Sequence, residues 1–175
     1  MSYATVEQIT EHGSARISLR IGAPFTELRA RIEAELPEIE PSDLEAVANG
    51  SVPWDDFLRG LSWEAPHGFV RLPNLDLGRM LRFAGREGGA VEYLAMDWAA
   101  AGRIHRLEPT ALLSLPARLL LVERDAEVLL SFAQPSAELA SFGLNKLAQA
   151  GRELDRRLGD LLEALDIARP SVLRR

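Results

Sequence analysis

Pro116-Ala117-Arg118-Leu119-Leu120-Leu121-Val122-Glu123-Arg124-Asp125-Ala126-Glu127-Val128-Leu129-Leu130-Ser131-Phe132 is the stretch whose reading decides the fold. Leu119 to Val122 is an apolar run of strand length. Arg124-Asp125-Ala126 reverses the chain, and Val128, Leu130 and Phe132 then alternate with Glu127 and Ser131. Period two is the signature of a half-buried strand, so the segment predicts a hairpin. A short helix follows, and from Leu144 the leucines recur as Leu147, Leu154, Leu158, Leu161 and Leu165, with Gly151 in the same stripe. Steps of three and four predict one long amphipathic helix of about 22 residues, roughly 33 Å long. Its polar face should carry Arg152, Arg156, Asp160 and Glu163, and a glycine in the apolar stripe implies that backbone comes close, here expected to be the sheet.

Working towards the N-terminus, Ile17, Leu19 and Ile21 alternate with Arg16, Ser18 and Arg20, a second clear strand. Thr5 to Thr10 is a weaker strand candidate, with His12-Gly13 as its turn. Gly22-Ala23-Pro24 opens a helix with Phe25, Leu28, Ile32 and Leu36 on one face, and Pro37 ends it. Residues 38–63 read as an insertion of two short helices. Ser42-Asp43 would cap the first, which runs to Asn49-Gly50; Ser51 or Pro53 would start the second, bearing Trp54, Phe57, Leu58 and Leu61. A short strand passes through Val70 and Leu72. Leu75 to Phe83 reads equally as a helical turn or a strand, and glycines at 85, 88 and 89 precede a strand from Val91 to Met96. Asp97-Trp98 then opens a helix through Ile104, and Pro109 starts a further turn. The order predicts an α+β fold: a mainly antiparallel sheet with helices on one face and the last helix packed along it.

Composition bounds the function. A chain of 175 residues is expected to form a single domain, 1–175, with 14–36 as opening strand and helix and 168–175 as a tail. Net charge is −6 with pI near 5.2, which argues against a nucleic-acid partner, since acidic neighbours dilute the Arg156-Arg157 and Arg174-Arg175 pairs. No apolar run reaches the ~18–20 residues of a membrane span, so no membrane partner is expected. Met1 to Glu7 has neither the basic head nor the apolar stretch of a signal peptide. The absence of cysteine excludes disulfides and thiolate chemistry and makes the cytoplasm the expected compartment. One lysine, Lys146, among 20 basic residues reads as the product of a GC-rich bacterial genome. Three scattered histidines, His12, His67 and His105, predict no metal site. No nucleotide-binding or nucleophile-elbow motif is present, so no cofactor is expected, an imidazole ligand to haem from His67 or His105 being the one open alternative.

Landmarks in order along residues 64–167 carry a resemblance: Ala65-Pro66-His67-Gly68-Phe69, Glu92-Tyr93-Leu94, Arg103, Pro109, Pro116-x-Arg118, Gln134-Pro135-Ser136, Ser141-Phe142-Gly143 and Gly151-Arg152-Glu153-Leu154-Asp155-Arg156-Arg157-Leu158. The chain resembles the family called domain of unknown function 302, and residues 14–36 resemble its opening strand and helix. The resemblance implies a compact domain with β-α-β-β-β-β-α order and a curved antiparallel sheet. Family members commonly carry a Gly-Asn-His or Gly-Asn-Pro step after the third strand. Here Met96-Asp97-Trp98 stands there: the histidine is absent and a carboxylate replaces the amide.

Candidate site residues follow from their places at turns and strand ends. His67 in its Pro-His-Gly turn is either a cleft imidazole or a turn-fixing hydrogen-bonder. Asp97 is either a general base beside an indole or the cap of the following helix. Trp54 and Trp63, with Phe57 and Phe69, form either a small core or the roof of a pocket, and Trp98 offers a surface for stacking. His105 complements a helix C-terminus or reaches a ligand. Arg118 anchors an anion or pairs with Glu92 or Glu123. The expected function is binding of a small apolar or aromatic molecule by a cofactor-independent protein of a bacterial biosynthetic pathway, with His67 and Asp97 as the candidate acid–base residues; the alternative is a non-catalytic homodimeric interaction protein.

Overall fold

The structure is a computed structural model that describes residues 6–7, 9–85, 88–125 and 127–174. At its centre the expected hairpin is formed by β5 (Ala117–Arg124) and β6 (Glu127–Ala133). Asp125 adopts φ 52° at the turn, a left-handed conformation that aspartate tolerates better than most residues; Ala126 lies outside the described residues. β1 (Arg16–Ile21) pairs with β6, and β4 (Ala90–Met96) pairs with β5, all antiparallel. The outer edge of β4 takes two short strands, β2 (Val70–Arg71) and β3 (Leu75–Asp76), so the sheet is open, running β1-β6-β5-β4-β2. Counted as one interrupted edge, β2 and β3 give the β-α-β-β-β-β-α order.

Alternation determines which side chains are covered. The rows Ile17-Phe132-Leu119-Tyr93 and Leu19-Leu130-Leu121-Val91 face inward across four strands. Onto them pack α1 (Phe25–Glu35), α5 (Trp98–Leu107) and α7 (Asn145–Ala164). Phe25, Leu28 and Ile32 of the first helix, and Leu36 just past its end, are all buried, as their spacing predicts. Tyr93 is fully buried at the ring, and burial together with the Glu33 carboxylate pushes its phenol well above the ordinary tyrosine range. On the opposite face Ser18 and Ser131 hydrogen-bond at 3.0 Å, and Arg118 pairs with Glu92.

The insertion forms α2 (Pro41–Ala48) and α3 (Trp54–Glu64), with a small core of its own around Ile39, Phe57, Ala65 and Val70. Arg71 stitches it to the sheet edge, donating its N–H to Pro37 O at 2.8 Å and accepting from Ile39 N–H at 3.0 Å. Several details differ from the sequence expectations. The first of these helices starts at Pro41, which places Ser42 and Asp43 inside its first turn instead of ahead of it, so neither caps it. Val6, Glu7, Ile9 and Thr10 form no strand, and Val6 and Ile9 are exposed, so this stretch buries no apolar side chain that would seat it on the sheet; Thr5 and Gln8 lie outside the described residues. Leu75 to Phe83 divides into β3, α4 (Leu77–Leu81) and a 3-10 turn.

The long helix is 20 residues, beginning at Asn145; Leu144 precedes it, part-exposed and off the stripe. Leu147, Leu154, Leu158, Leu161 and Leu165 are buried, and Arg152, Arg156 and Glu163 face solvent with Asp160 half-buried. Gly151 approaches α6 (Pro135–Ala140), not the sheet: a Cβ there would lie 2.6 Å from Ser136 Cα and 3.2 Å from Pro135 O. One turn on, buried Asp155 accepts hydrogen bonds from Ser136 N (3.0 Å), Ser136 Oγ (2.5 Å) and Gln134 Nε2 (2.8 Å). A side chain of α7 thus holds the start of α6. Gly151→Ala sets a helix-propensity gain of about 1 kcal/mol against overpacking of about 1–3 kcal/mol. Overpacking wins because the closest atoms are backbone, so a urea melt should show net destabilisation; a variant as stable as wild type would contradict the close approach.

Candidate functional site

Asp97 sits where β4 gives way to α5. Its side chain accepts from Ala100 N–H at 2.8 Å, so it caps the helix, and it is only 1% exposed. Its second oxygen meets the Arg157 guanidinium from α7. Arg157 also donates to Glu153 (3.0 Å), which in turn accepts from Arg103 (2.9 Å), so four charges of alternating sign run from α5 to α7. Burial pushes the Asp97 carboxyl above the usual carboxylate range, and the Ala100 N–H, Arg157 and Arg103 pull part of the way back.

His67 lies in the turn before β2. Gly68 closes that turn with φ 77°, and a Cβ there would come within 2.5 Å of Arg157 Nη1, so the glycine leaves room for the guanidinium. The imidazole is tied to Glu35, at the end of α1, by Nε2 to Oε2 at 2.8 Å, with its side chain 14% exposed. The partner is a distant carboxylate instead of a neighbouring carbonyl. His67, Asp97 and Trp98 line one cavity of about 340 Å³, to which α3 contributes Leu58 and Leu61.

A second, larger recess of about 550 Å³ also borders Trp98. It is lined by Trp54, Met96, Trp98, Leu112 and Leu115, together with His105 and Arg106 of α5. Trp54 crosses to α5 because Gly102 offers bare backbone: a Cβ at Gly102 would stand 3.0 Å from the indole. Trp54 and Phe57 meet Trp98 at ring separations of 6.5 and 6.1 Å, both edge-on. Trp98 Nε1 is buried with no hydrogen-bond partner among the described residues.

The sequence candidates therefore divide into groups. His67, Asp97 and Trp98 share the smaller cavity, while Trp54, Trp98 and His105 share the larger recess. Trp63 is 85% exposed and lines neither, because it falls on the outer face of α3; Phe69 belongs to the main core. Arg118 belongs to neither as well. It lies on the open sheet face, its Nε 2.8 Å from Glu92 Oε1. Sequence reasoning missed Glu35 and Arg157, which engage His67 and Asp97, and it missed Met96, Leu112 and Leu115. Gly68 was a usable sign that something packs on the Pro-His-Gly turn, but not of what.

The backbone superposes on the crystal structure of "uncharacterized conserved protein DUF302 from Bacillus stearothermophilus" with a TM-score of 0.60, covering 86% of this chain and 97% of that one at 14% identity. The fold is the DUF302 fold. No family model and no curated protein matches the sequence. At that identity the DUF302 likeness carries the architecture and assigns no residue a role. Among the described residues no helix is long and apolar enough to cross a membrane.

Proposed function

We propose that this protein binds a small, flat, largely apolar molecule in the recess between α3, α5 and the 3-10 turn Pro109–Ser114. The observation that carries this reading is the lining: two indoles, a thioether and two leucines around about 550 Å³, a size and chemistry suited to an aromatic ligand. His105 and Arg106 in that lining suit an anionic substituent, although both also complement the C-terminus of α5. The three tryptophans provide the test. On titration with naphthoate, the indole N–H resonances of Trp54 and Trp98 should shift while that of Trp63 stays still, and Trp54→Ala should weaken binding by about tenfold or more. Unmoved Trp54 and Trp98 signals, or movement of all three alike, would reject the recess as the site.

A second reading, acid–base catalysis in the smaller cavity, draws on the Glu35–His67 pair lining it together with Asp97. A carboxylate that orients an imidazole is a common arrangement for a general base. Against it, Asp97 is already engaged by Ala100 and Arg157, which leaves binding as the better-supported function.

A further inference from the structure

We propose that residues 79–85 dock this protein onto an anionic lipid surface. All seven residues, Arg79-Met80-Leu81-Arg82-Phe83-Ala84-Gly85, are exposed. Met80 is 65%, Leu81 57% and Phe83 86% exposed, a cluster of large apolar side chains that water disfavours. The same segment holds two arginines and no acid, in a chain whose net charge is −6. Among the described residues neither Arg79 nor Arg82 forms a salt bridge; the Arg82 guanidinium lies 4.8 Å from the centre of the Phe83 ring.

The segment is anchored at its base. Asp76 caps α4 by accepting Arg79 N–H at 2.9 Å, and Gly78 fits tightly on the chain before β4, where a Cβ would stand 2.7 Å from Ala90 N and 2.8 Å from Gly88 O. The apolar residues are thus presented from a fixed platform. Apolar side chains that enter the headgroup boundary, flanked by cations that meet lipid phosphates, are the chemistry of interfacial binding, which requires no spanning helix. Charge selects lipid over a second copy of this chain, because a two-fold contact through the segment would set Arg79 and Arg82 against their own copies. The sequence expectation of no membrane partner followed from the lack of a span and did not address a surface-lying segment.

The test is flotation of the full chain with vesicles of pure phosphatidylcholine and with vesicles in which about a quarter of the lipid is phosphatidylglycerol. Wild type should float with the anionic vesicles only, and less so as salt is raised. Arg79→Gln/Arg82→Gln and Met80→Ser/Phe83→Ser should each reduce the bound fraction by about tenfold or more, because both charge and apolar insertion contribute. These side chains are exposed, so circular dichroism should confirm an unchanged fold. The proposal is overturned if wild type does not distinguish the two vesicles or if both variants float like wild type. It is equally overturned if wild type ignores vesicles while Met80→Ser/Phe83→Ser converts a dimer to a monomer, which would make the segment a self-interface, or if the arginines instead prove to retain an oligonucleotide.

Discussion

Leu158→Ala is expected to lower the free energy of unfolding by about 2–5 kcal/mol, the range for truncating a buried leucine. Leu158 is 1% exposed near the middle of the stripe that α7 turns into the core, with Leu154 and Leu161 buried on either side. The surrounding strands and helices hold the site open, so the cavity left behind collapses only in part. Urea denaturation should show a lower midpoint with an unchanged slope. A midpoint within error of wild type would mean that this face of α7 is not seated as described.

Arg157→Met should be the second large effect, costing about 3 kcal/mol near neutral pH, because removing one partner strands the other charge in the interior. Asp97, 1% exposed, would retain the Ala100 N–H and lose the guanidinium. The pH dependence has a definite sign. Burial already raises the folded-state value of Asp97, and loss of Arg157 removes a group that lowers it. A carboxyl whose folded value exceeds its unfolded one, about 3.9, stabilises the protein below the unfolded value and loses that contribution as pH rises through the folded value. The deficit of Arg157→Met relative to wild type should therefore be greatest near neutrality and shrink as pH falls towards about 4. Adding Asp97→Asn should recover part of the loss at neutral pH, since asparagine still caps α5 without a charge. A deficit independent of pH, with no recovery in the double variant, would show that Asp97 and Arg157 are not coupled.

The same pair shows how far the site was legible beforehand. That Asp97 caps a helix follows from its place between an alternating strand and an alanine-rich run, since the capped N–H belongs to Ala100, three residues on. That it also holds Arg157 could not be read, because the two lie 60 residues apart. His67 and Glu35 are 32 apart, and nothing in the Pro-His-Gly turn names the carboxylate that reaches it. Trp63 fails for a related reason: three aromatics within ten residues suggest a cluster, but the turn of α3 sends Trp54 and Phe57 inward and Trp63 into water.

By itself the sequence determined the antiparallel hairpin, the apolar faces of α1 and α7, and the turn between Met96 and α5. Each is a local matter of periodicity, capping or backbone geometry, in which a residue and its near neighbours decide which side is apolar. Tertiary structure alone decided what those faces meet. It set Gly151 against Ser136, brought Glu35 to His67 and Arg157 to Asp97, and laid Trp54 over Gly102 to wall the larger recess. Those contacts depend on how helices are stacked on the sheet, and stacking reflects the packing of whole surfaces, which no single stretch of chain contains.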